Sequence, residues 1–350
     1  MSGNHCLKKI ITAFTAAALL CSCGLTGGTG VKGAGAEPAQ CTLFAMDTVM
    51  SLTAYGQGAE EAVQKASEEI QRLDALLSTG NEESEIGKLN RTGSGMLSGD
   101  VRELVGRSLE MWETTDGAFD IAIYPVMEAW GFTEEEQHIP ADGVLEQLLP
   151  LCDPEDIEFD AATGKISFRK KGMKIDLGGS AKGYTSTRLM DIYRSCGVTS
   201  GLVNLGGNVQ TLGRKPDGTL WRIAIEDPDD GENRIGVLSI EDKAAITSGG
   251  YERFFEADGQ IFHHIIDPET GYPAKKGLKS VTIVSADGTL ADILSTSLYI
   301  MGTEKAQKYC AARAEQDGFE AVLYTDDNEL LITPGIKDSF GTEQKVKIIE

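Results

Sequence analysis

Short predicted strands dominate the chain from residue 157 onward, and this pattern constrains the fold more than any other feature of the sequence. Runs of β-branched and aromatic residues indicate strands at Ile157–Asp160, Lys165–Arg169, Leu220–Glu226, Gly236–Glu241, Tyr251–Glu256, Ile261–Asp267 and Val281–Ser285. Predicted helices interrupt them near 181–195 and 289–300, and a third follows at 303–315. Segregated helices and mostly antiparallel strands predict an α+β fold rather than a doubly wound parallel sheet.

The first half of the folded chain is predicted to be mainly helical. Residues 42–55 indicate a strand, and apolar residues spaced three and four apart then predict an amphipathic helix, namely Ala62, Val63, Ala66, Ile70, Leu73 and Leu77. Asp100 and Glu103 open a second helix with a capping-box-like pair. A third helix, over 121–130, is apolar nearly all round and therefore predicted to be buried. Since no linker-like break follows residue 40, we expect one catalytic domain over 41–350.

The N-terminus has the features of an export signal. Lys8 and Lys9 precede an apolar run over 10–20, which is too short to span a membrane. The run ends in Leu20-Cys21-Ser22-Cys23-Gly24, which resembles the lipobox of bacterial lipoproteins. We therefore expect a signal peptide over 1–22, lipidation of Cys23, and a flexible Gly/Ala-rich tether over 23–40. The protein would then be extracytoplasmic and lipid-anchored to the bacterial inner membrane, with a plain cleaved signal as the alternative.

Composition excludes several classes of partner. The formal net charge is −22, so the chain lacks the concentrated basic surface that nucleic-acid binding requires. Four widely spaced cysteines follow the tether, with no C-x-x-C pair, which argues against zinc and leaves disulfide pairing open (Cys41, Cys152, Cys196 and Cys310). The sequence contains no P-loop, nucleophile elbow, S-x-x-K or H-E-x-x-H motif.

Two glycine-rich segments are candidates for ligand binding. In the segment 176–183, a short predicted strand runs into a helix, and small residues there would let an anion approach the helix N-terminus beside Lys182. An ordinary strand–helix turn is the alternative. Asn204-Leu205-Gly206-Gly207-Asn208 is weaker alone, and a structural β-bulge is the favoured interpretation there.

Two further segments carry groups for acid–base and metal chemistry. His263 and His264 are adjacent on a predicted strand, so they point to opposite faces, and one can serve a site as proton acceptor. Asp292, Ser295 and Thr296 share one face of a helix, and their oxygens suit Mg²⁺. An N-cap aspartate with hydroxyls bonded back to the helix is the alternative for the second group.

Taken in order, these segments resemble the ApbE-type FAD:protein FMN transferases over roughly residues 44–335. The motifs that carry the resemblance are Met46-x-Thr48, Leu77-Ser78-Thr79, Gly117-Ala118-Phe119-Asp120, Trp130-Gly131-Phe132, Asp176-Leu177-Gly178-Gly179-x-Ala181-Lys182-Gly183, Asn204-Leu205-Gly206-Gly207-Asn208, Thr247-Ser248-Gly249-x-Tyr251-Glu252-Arg253, His264-Ile265-Ile266-Asp267-Pro268-x-Thr270-Gly271-x-Pro273 and Ala291-Asp292-x-Leu294-Ser295-Thr296.

The resemblance implies both the fold and the site. The family fold is α+β, as expected from the strand pattern. FAD contacts are implied for Met46, Ala118, Phe119, Asp120, Asp176, Lys182 and Ile266, and Mg²⁺ ligation for Asp292, Ser295, Thr296 and the backbone carbonyl of Gly179. Two departures from the family pattern are expected to affect the affinity for FAD. Asp47 stands where a glycine is usual, and Gly80 stands where an aromatic residue is common.

The implied reaction is phosphoryl transfer with FAD as substrate. A Ser or Thr hydroxyl of a target protein attacks the FMN-side phosphorus and AMP leaves, with His264 as the favoured base and Lys182 stabilising charge. The family modifies a Ser/Thr-Gly-Ala-Ser/Thr motif, so flavoprotein subunits of membrane redox complexes are the expected partners. Two alternatives stay open, an FAD pyrophosphatase that uses water and a flavin-binding lipoprotein without catalysis.

Overall fold

The computed structural model describes residues 37–133 and 136–350. The predicted signal peptide, the lipidation site at Cys23 and the tether as far as residue 36 lie outside the described residues. The first strand begins at Ala39, two residues before the predicted domain boundary at 41.

The described chain contains seven α-helices and seventeen strands, with a few short 3₁₀ turns between them. The helices are Ala59–Leu77 (α1), Glu85–Thr92 (α2), Gly99–Thr114 (α3), Tyr124–Ala129 (α4), Val144–Leu148 (α5), Gly178–Ser195 (α6) and Gly288–Asp317 (α7). The strands are Ala39–Ala45 (β1), Thr48–Tyr55 (β2), Ser94–Met96 (β3), Ile157–Asp160 (β4), Lys165–Phe168 (β5), Ser200–Leu205 (β6), Asn208–Leu212 (β7), Trp221–Asp227 (β8), Asp230–Ile240 (β9), Ala244–Gly249 (β10), Phe254–Ala257 (β11), Gln260–His263 (β12), Leu278–Ser285 (β13), Phe319–Thr325 (β14), Leu330–Ile332 (β15), Phe340–Gly341 (β16) and Val346–Ile348 (β17).

A nine-stranded sheet organises the fold, in the order β1-β2-β6-β7-β10-β13-β14-β15-β17. Its pairs are antiparallel except β15–β17. Helix α7 packs on one face, where Leu294 joins Ile283 in a buried cluster. The small β16-β9-β8 sheet covers the other face, where Leu238 joins Val322. Because both faces are covered, the central strands are apolar on both sides. The mostly antiparallel sheet with helices packed on it confirms the predicted α+β class.

The two helices predicted over 289–300 and 303–315 are confirmed as the two segments of α7, which meet at a break in the helix. Helix α7 runs from Gly288 to Asp317 and is interrupted only at Gly302, whose φ of 76° and ψ of 174° are non-helical. A side chain at Gly302 would overlap Lys276, so glycine suits both the backbone angle and the space. The periodic pattern on either side of this kink is what suggested two helices.

Several other elements differ from the prediction in ways that affect the site. The single strand predicted over 42–55 is a hairpin of β1 and β2, turning at Met46 and Asp47. The predicted strand 261–267 ends at His263, because the chain then enters a turn closed by Asp267. The double glycine of 204–208 forms the turn between β6 and β7 rather than a bulge.

Other corrections concern local details. Helix α3 begins at Gly99 behind an N-cap at Ser98, so Asp100 lies in its first turn and does not cap it. The predicted helix over 121–130 is a 3₁₀ turn followed by α4. Cys41, Cys152, Cys196 and Cys310 are all free thiols. Within the described part of the chain, no helix combines the length and the apolar character that a membrane span requires.

Candidate active site

One cavity of about 450 Å³ brings together almost every residue that the sequence singled out. It lies between the β1–β2 turn, the start of α6, the start of α7 and the segment after β10. Of the predicted site residues it is lined by Met46, Ala118, Phe119, Asp120, Asp176, Gly179, Lys182, His264, Ile266, Asp292 and Thr296. Ser295 is fully buried directly behind this wall. Cys23, the predicted lipidation site, lies outside the described residues.

The β1–β2 turn enters the cavity in an unusual backbone conformation. Met46 and Asp47 both have positive φ, 48° and 58°, which side-chain-bearing residues adopt rarely. A hydrogen bond of 3.0 Å from the Met46 backbone N–H to Asp74 Oδ1 stabilises this conformation. Asp47 therefore occupies a left-handed position, which explains why a glycine is usual there. Strain of this kind is characteristic of binding sites.

The segment leading into α6 is irregular rather than the predicted strand. Asn90 fixes the position of this segment, because its side-chain amide donates to the Ile175 carbonyl and accepts from the Ile175 N–H, both at 2.8 Å. The Asp176 backbone N–H donates to the Ile121 carbonyl at 2.8 Å, and Asp176 Oδ1 accepts from Gly178 N–H at 3.1 Å. These bonds fix the Asp176 carboxylate at the N-terminus of α6, next to Gly178.

Asp292 is the most constrained carboxylate of the cavity. It is 5% exposed, and it accepts from Gly183 N–H at 2.7 Å and from Asn208 Nδ2 at 2.9 Å. Gly183 permits this, since any side chain there would overlap Gly288 and Asp292. The N-cap of α7 is Asp287, which accepts from Leu290 N–H, so the N-cap alternative for Asp292 is wrong.

Three hydroxyls cluster beside Asp292, one of which sequence reasoning left without a role. Ser248 Oγ lies 2.8 Å from Ser295 Oγ and 3.2 Å from Thr296 Oγ1. Ser295 also donates to the Asp292 carbonyl at 2.8 Å, as the back-bonding alternative expected. Ser248 stands in the quoted Thr-Ser-Gly motif, but only the contact between β10 and α7 shows that its hydroxyl joins this cluster.

The two histidines have different surroundings, as their adjacency predicts. His263 is 5% exposed, its Nε2 lies 3.0 Å from the Ala274 carbonyl, and its Nδ1 accepts from Ile265 N–H at 3.3 Å. Both ring nitrogens of His263 are therefore used within the protein. His264 lines the cavity, and its Nδ1 lies 3.2 Å from the Arg253 carbonyl. Since a carbonyl only accepts, Nδ1 carries the proton and Nε2 is left as the basic nitrogen.

Burial controls the ionisation of the cavity. It lowers the pKa of His264 to about 3, with a further lowering from the Arg253 charge, so the ring is neutral at pH 7. Burial raises the pKa of Asp292, whereas the nearby charge of Lys182 lowers it. Desolvation likewise raises the pKa of Glu252, a cavity residue to which the sequence analysis gave no role, to about 7 against the opposing charge of Lys182. The positive charge of Lys182 thus acts on two carboxylates of the site.

Asp120→Asn is expected to flatten the pH dependence of stability. Burial raises the pKa of Asp120 to about 8, so between pH 4 and 8 the folded state holds a proton that the unfolded state has lost. Stability attributable to Asp120 therefore falls as pH rises through this window. The asparagine keeps the acceptor for Ala122 N–H and should raise the free energy of unfolding at pH 8 by on the order of 1 kcal/mol.

Urea unfolding at pH 5 and pH 8 measures this effect. Asp116→Asn, on the same loop but exposed, is the matched control and should retain the wild-type pH dependence. If the free energy of unfolding changed by the same amount between pH 5 and pH 8 in wild type and in Asp120→Asn, Asp120 would not be neutral in the folded state.

Comparison with known proteins identifies the family. A sequence model described as the ApbE family matches residues 46–323. An FAD:protein FMN transferase of Klebsiella pneumoniae is 34% identical over 268 residues, covering 75% of this chain and 82% of that protein. One of Treponema pallidum is 31% identical over 341 residues, covering 91% and 92%.

Solved structures agree with the sequence comparison. The ApbE protein of Thermotoga maritima has a TM-score of 0.81 at 30% identity, covering 88% of this chain and 100% of that chain. The flavinyl transferase ApbE of Pseudomonas stutzeri has a TM-score of 0.76 at 27% identity, covering 88% and 98%. The fold is thus of a class that includes flavinyl transferases. The chain belongs to the ApbE family.

Proposed function

We propose that this chain is an FAD:protein FMN transferase that uses Mg²⁺ to move FMN from FAD to a Ser or Thr hydroxyl of a target protein, releasing AMP. Relatives with this name match most of the chain. The observation that carries the proposal is the convergence of Asp292, its hydroxyl cluster, Lys182 and the basic Nε2 of His264 on one cavity. A protein that only captured flavin would have no use for this set.

The residues fit a magnesium ion. Asp292, Ser295, Thr296 and the Gly179 carbonyl would supply hard oxygen donors with a single carboxylate, the kind of set that Mg²⁺ accepts alongside water and phosphate. Asp292 is buried, its hydrogen-bond donors are uncharged, and across the described residues it has no ion pair. The described residues contain no group of three or more His, Cys, Asp or Glu side chains that could hold a metal. The candidate set is of a different kind, with one carboxylate and three neutral oxygens. Bound there, Mg²⁺ would neutralise charge on the pyrophosphate.

The transfer balances without any further reactant. The acceptor oxygen forms a bond to the FMN-side phosphorus, and the phosphoanhydride bond to AMP breaks. The hydroxyl proton goes to His264 Nε2, and AMP leaves with the bridging oxygen. Lys182 offsets the charge that develops on the phosphoryl oxygens.

A single assay tests the proposal against both alternatives. The protein is incubated with FAD, Mg²⁺ and a protein carrying a Ser/Thr-Gly-Ala-Ser/Thr motif, and flavin on the acceptor, free FMN and AMP are measured by mass. We expect AMP and acceptor-bound FMN in equal amounts. FMN and AMP without labelled acceptor would indicate a pyrophosphatase, and unchanged FAD would indicate binding alone.

The proposal extends to location and partners. The lipobox-like sequence ending at Cys23 supports an extracytoplasmic protein that is lipid-anchored to the bacterial inner membrane. Acceptors carrying the motif in membrane redox complexes would lie at the same surface. Radiolabelled palmitate incorporation that is lost in Cys23→Ser is the expected sign of the anchor.

The protein should not flavinylate itself. Its Gly-Ala pairs begin at Gly33, Gly35, Gly58 and Gly117, and the preceding residues are Lys32, Ala34, Gln57 and Asp116. None of these carries a hydroxyl, so the acceptor motif is absent from the sequence. Intact mass after incubation with FAD and Mg²⁺ should be unchanged, and a stable gain equal to FMN less water would contradict this expectation.

A further inference from the structure

The outer edge of β1 lacks the usual protection against pairing with another strand. It ends the nine-stranded sheet, and among residues 37–133 and 136–350 no strand pairs with its outer side. Its sequence, AQCTLFA, has no charge and no proline, and its seven pairs with β2 contain no bulge. Charges, prolines and bulges are the devices that normally block edge pairing.

Hairpin geometry sets which backbone groups face outward. Because the turn has two residues with positive φ, Ala45 and Thr48 form its closing hydrogen-bonded pair. Alternation along an antiparallel pair then directs the free N–H and C=O groups of Phe44, Thr42 and Gln40 to the outer edge. Their side chains are exposed too, and Phe44, 70% exposed, lies opposite Val49, 62% exposed.

This edge leads directly into the active-site cavity, since Met46 and Asp47, the turn that ends β1, line it. A segment paired with β1 would therefore deliver its next residues to the cavity mouth. We propose that the acceptor protein docks as an extra strand on residues 40–44, an extended, uncharged segment of about five residues next to the modified Ser or Thr. This inference rests on the proposed transfer to a protein hydroxyl.

The test places charges on the edge. In Thr42→Lys/Phe44→Lys, both substitutions are at exposed positions and lysine disfavours edge pairing. The probe is a soluble protein with the Ser/Thr-Gly-Ala-Ser/Thr motif, and KM for FMN transfer to it should rise about tenfold with kcat and FAD affinity retained. Ile348→Lys, on the opposite edge strand β17 and 37% exposed, is the matched control and should change neither.

A second readout separates docking from catalysis. The same acceptor with its Ser/Thr residues replaced by Ala should bind wild type about tenfold more tightly than the edge variant. Equal KM and equal Kd for the acceptor in the wild type and the edge variant would overturn the proposal. It would also be overturned if the variant lost self-association of this chain while its kinetics with the acceptor stayed unchanged, because the edge would then pair with a second copy. If the wild type binds the acceptor at this edge but transfers no FMN, the proposed function fails and the docking surface stands.

Discussion

Asp292→Ala is expected to lower kcat for FMN transfer by at least about a hundredfold, because a bound metal supplies several kcal/mol of transition-state stabilisation. With Asp292 gone, only neutral oxygens would remain in the candidate metal set. FAD affinity should fall much less, because the contacts predicted for Met46, Phe119 and Ile266 lie on other elements. Turnover against Mg²⁺ concentration, together with FAD titration, measures both effects.

Two controls separate metal loss from misfolding. Asp287→Asn changes a partly exposed carboxylate five residues earlier, at the N-cap of α7, and should leave the Mg²⁺ dependence unaltered. Asp292→Asn keeps the shape of the side chain but removes its charge, so it should lose activity like the alanine variant while retaining more of the thermal stability. Unchanged turnover of Asp292→Ala at subsaturating Mg²⁺ would rule out Asp292 as a ligand.

His264→Ala should reduce turnover by about 10²–10⁴-fold, the usual contribution of a general base, with little change in FAD binding. His263→Ala is the matched variant from the adjacent position. Since both nitrogens of His263 bond within the protein and its ring packs at 84° against Tyr299, its loss should lower stability and spare catalysis.

The pH profile gives His264 a distinct signature. Burial lowers the pKa of His264 to about 3, so protonation of this ring should not reduce kcat/KM of the free enzyme as pH falls from 7 to 5. Bound FAD brings negative charge, which raises the pKa of His264 and shifts the acidic limb of the kcat profile to higher pH. This limb should disappear in His264→Ala. Near-normal turnover and pH dependence in both histidine variants would place the base elsewhere. Asp267, three residues after His264, does not offer an obvious replacement, because its carboxylate lies 2.7 Å from Lys276 Nζ and it does not line the cavity.

Sequence periodicity correctly predicted helices and strands that bury one face, because their apolar residues recur at a regular spacing. The apolar spacing of α1 and the bounds of β4 agree with the structure closely, because their patterns come from local packing. Asp292 and Thr296 face one cavity, as helical spacing requires, and the motif order placed them with Lys182.

What the sequence could not predict depends on backbone angles and on long-range contacts. The residue types of Met46 and Asp47 do not indicate a left-handed turn, since residues with side chains seldom adopt positive φ, and the one signal was the glycine that the family usually has at position 47. The position of Ser248 in the hydroxyl cluster arises only when β10 meets α7, 47 residues later in the chain. The end of the strand at His263 is likewise set by tertiary packing rather than by local propensity.

Oxygen-isotope labelling tests the central claim most directly. The reaction is run in H₂¹⁸O with FAD, Mg²⁺ and a motif-bearing acceptor, and the products are analysed by mass. Because the acceptor hydroxyl attacks the FMN-side phosphorus and AMP keeps the bridging oxygen, we predict that neither AMP nor the attached flavin phosphate gains ¹⁸O. Free FMN or AMP carrying one ¹⁸O, with no flavin on the acceptor, would identify water as the nucleophile and contradict the assignment as a transferase.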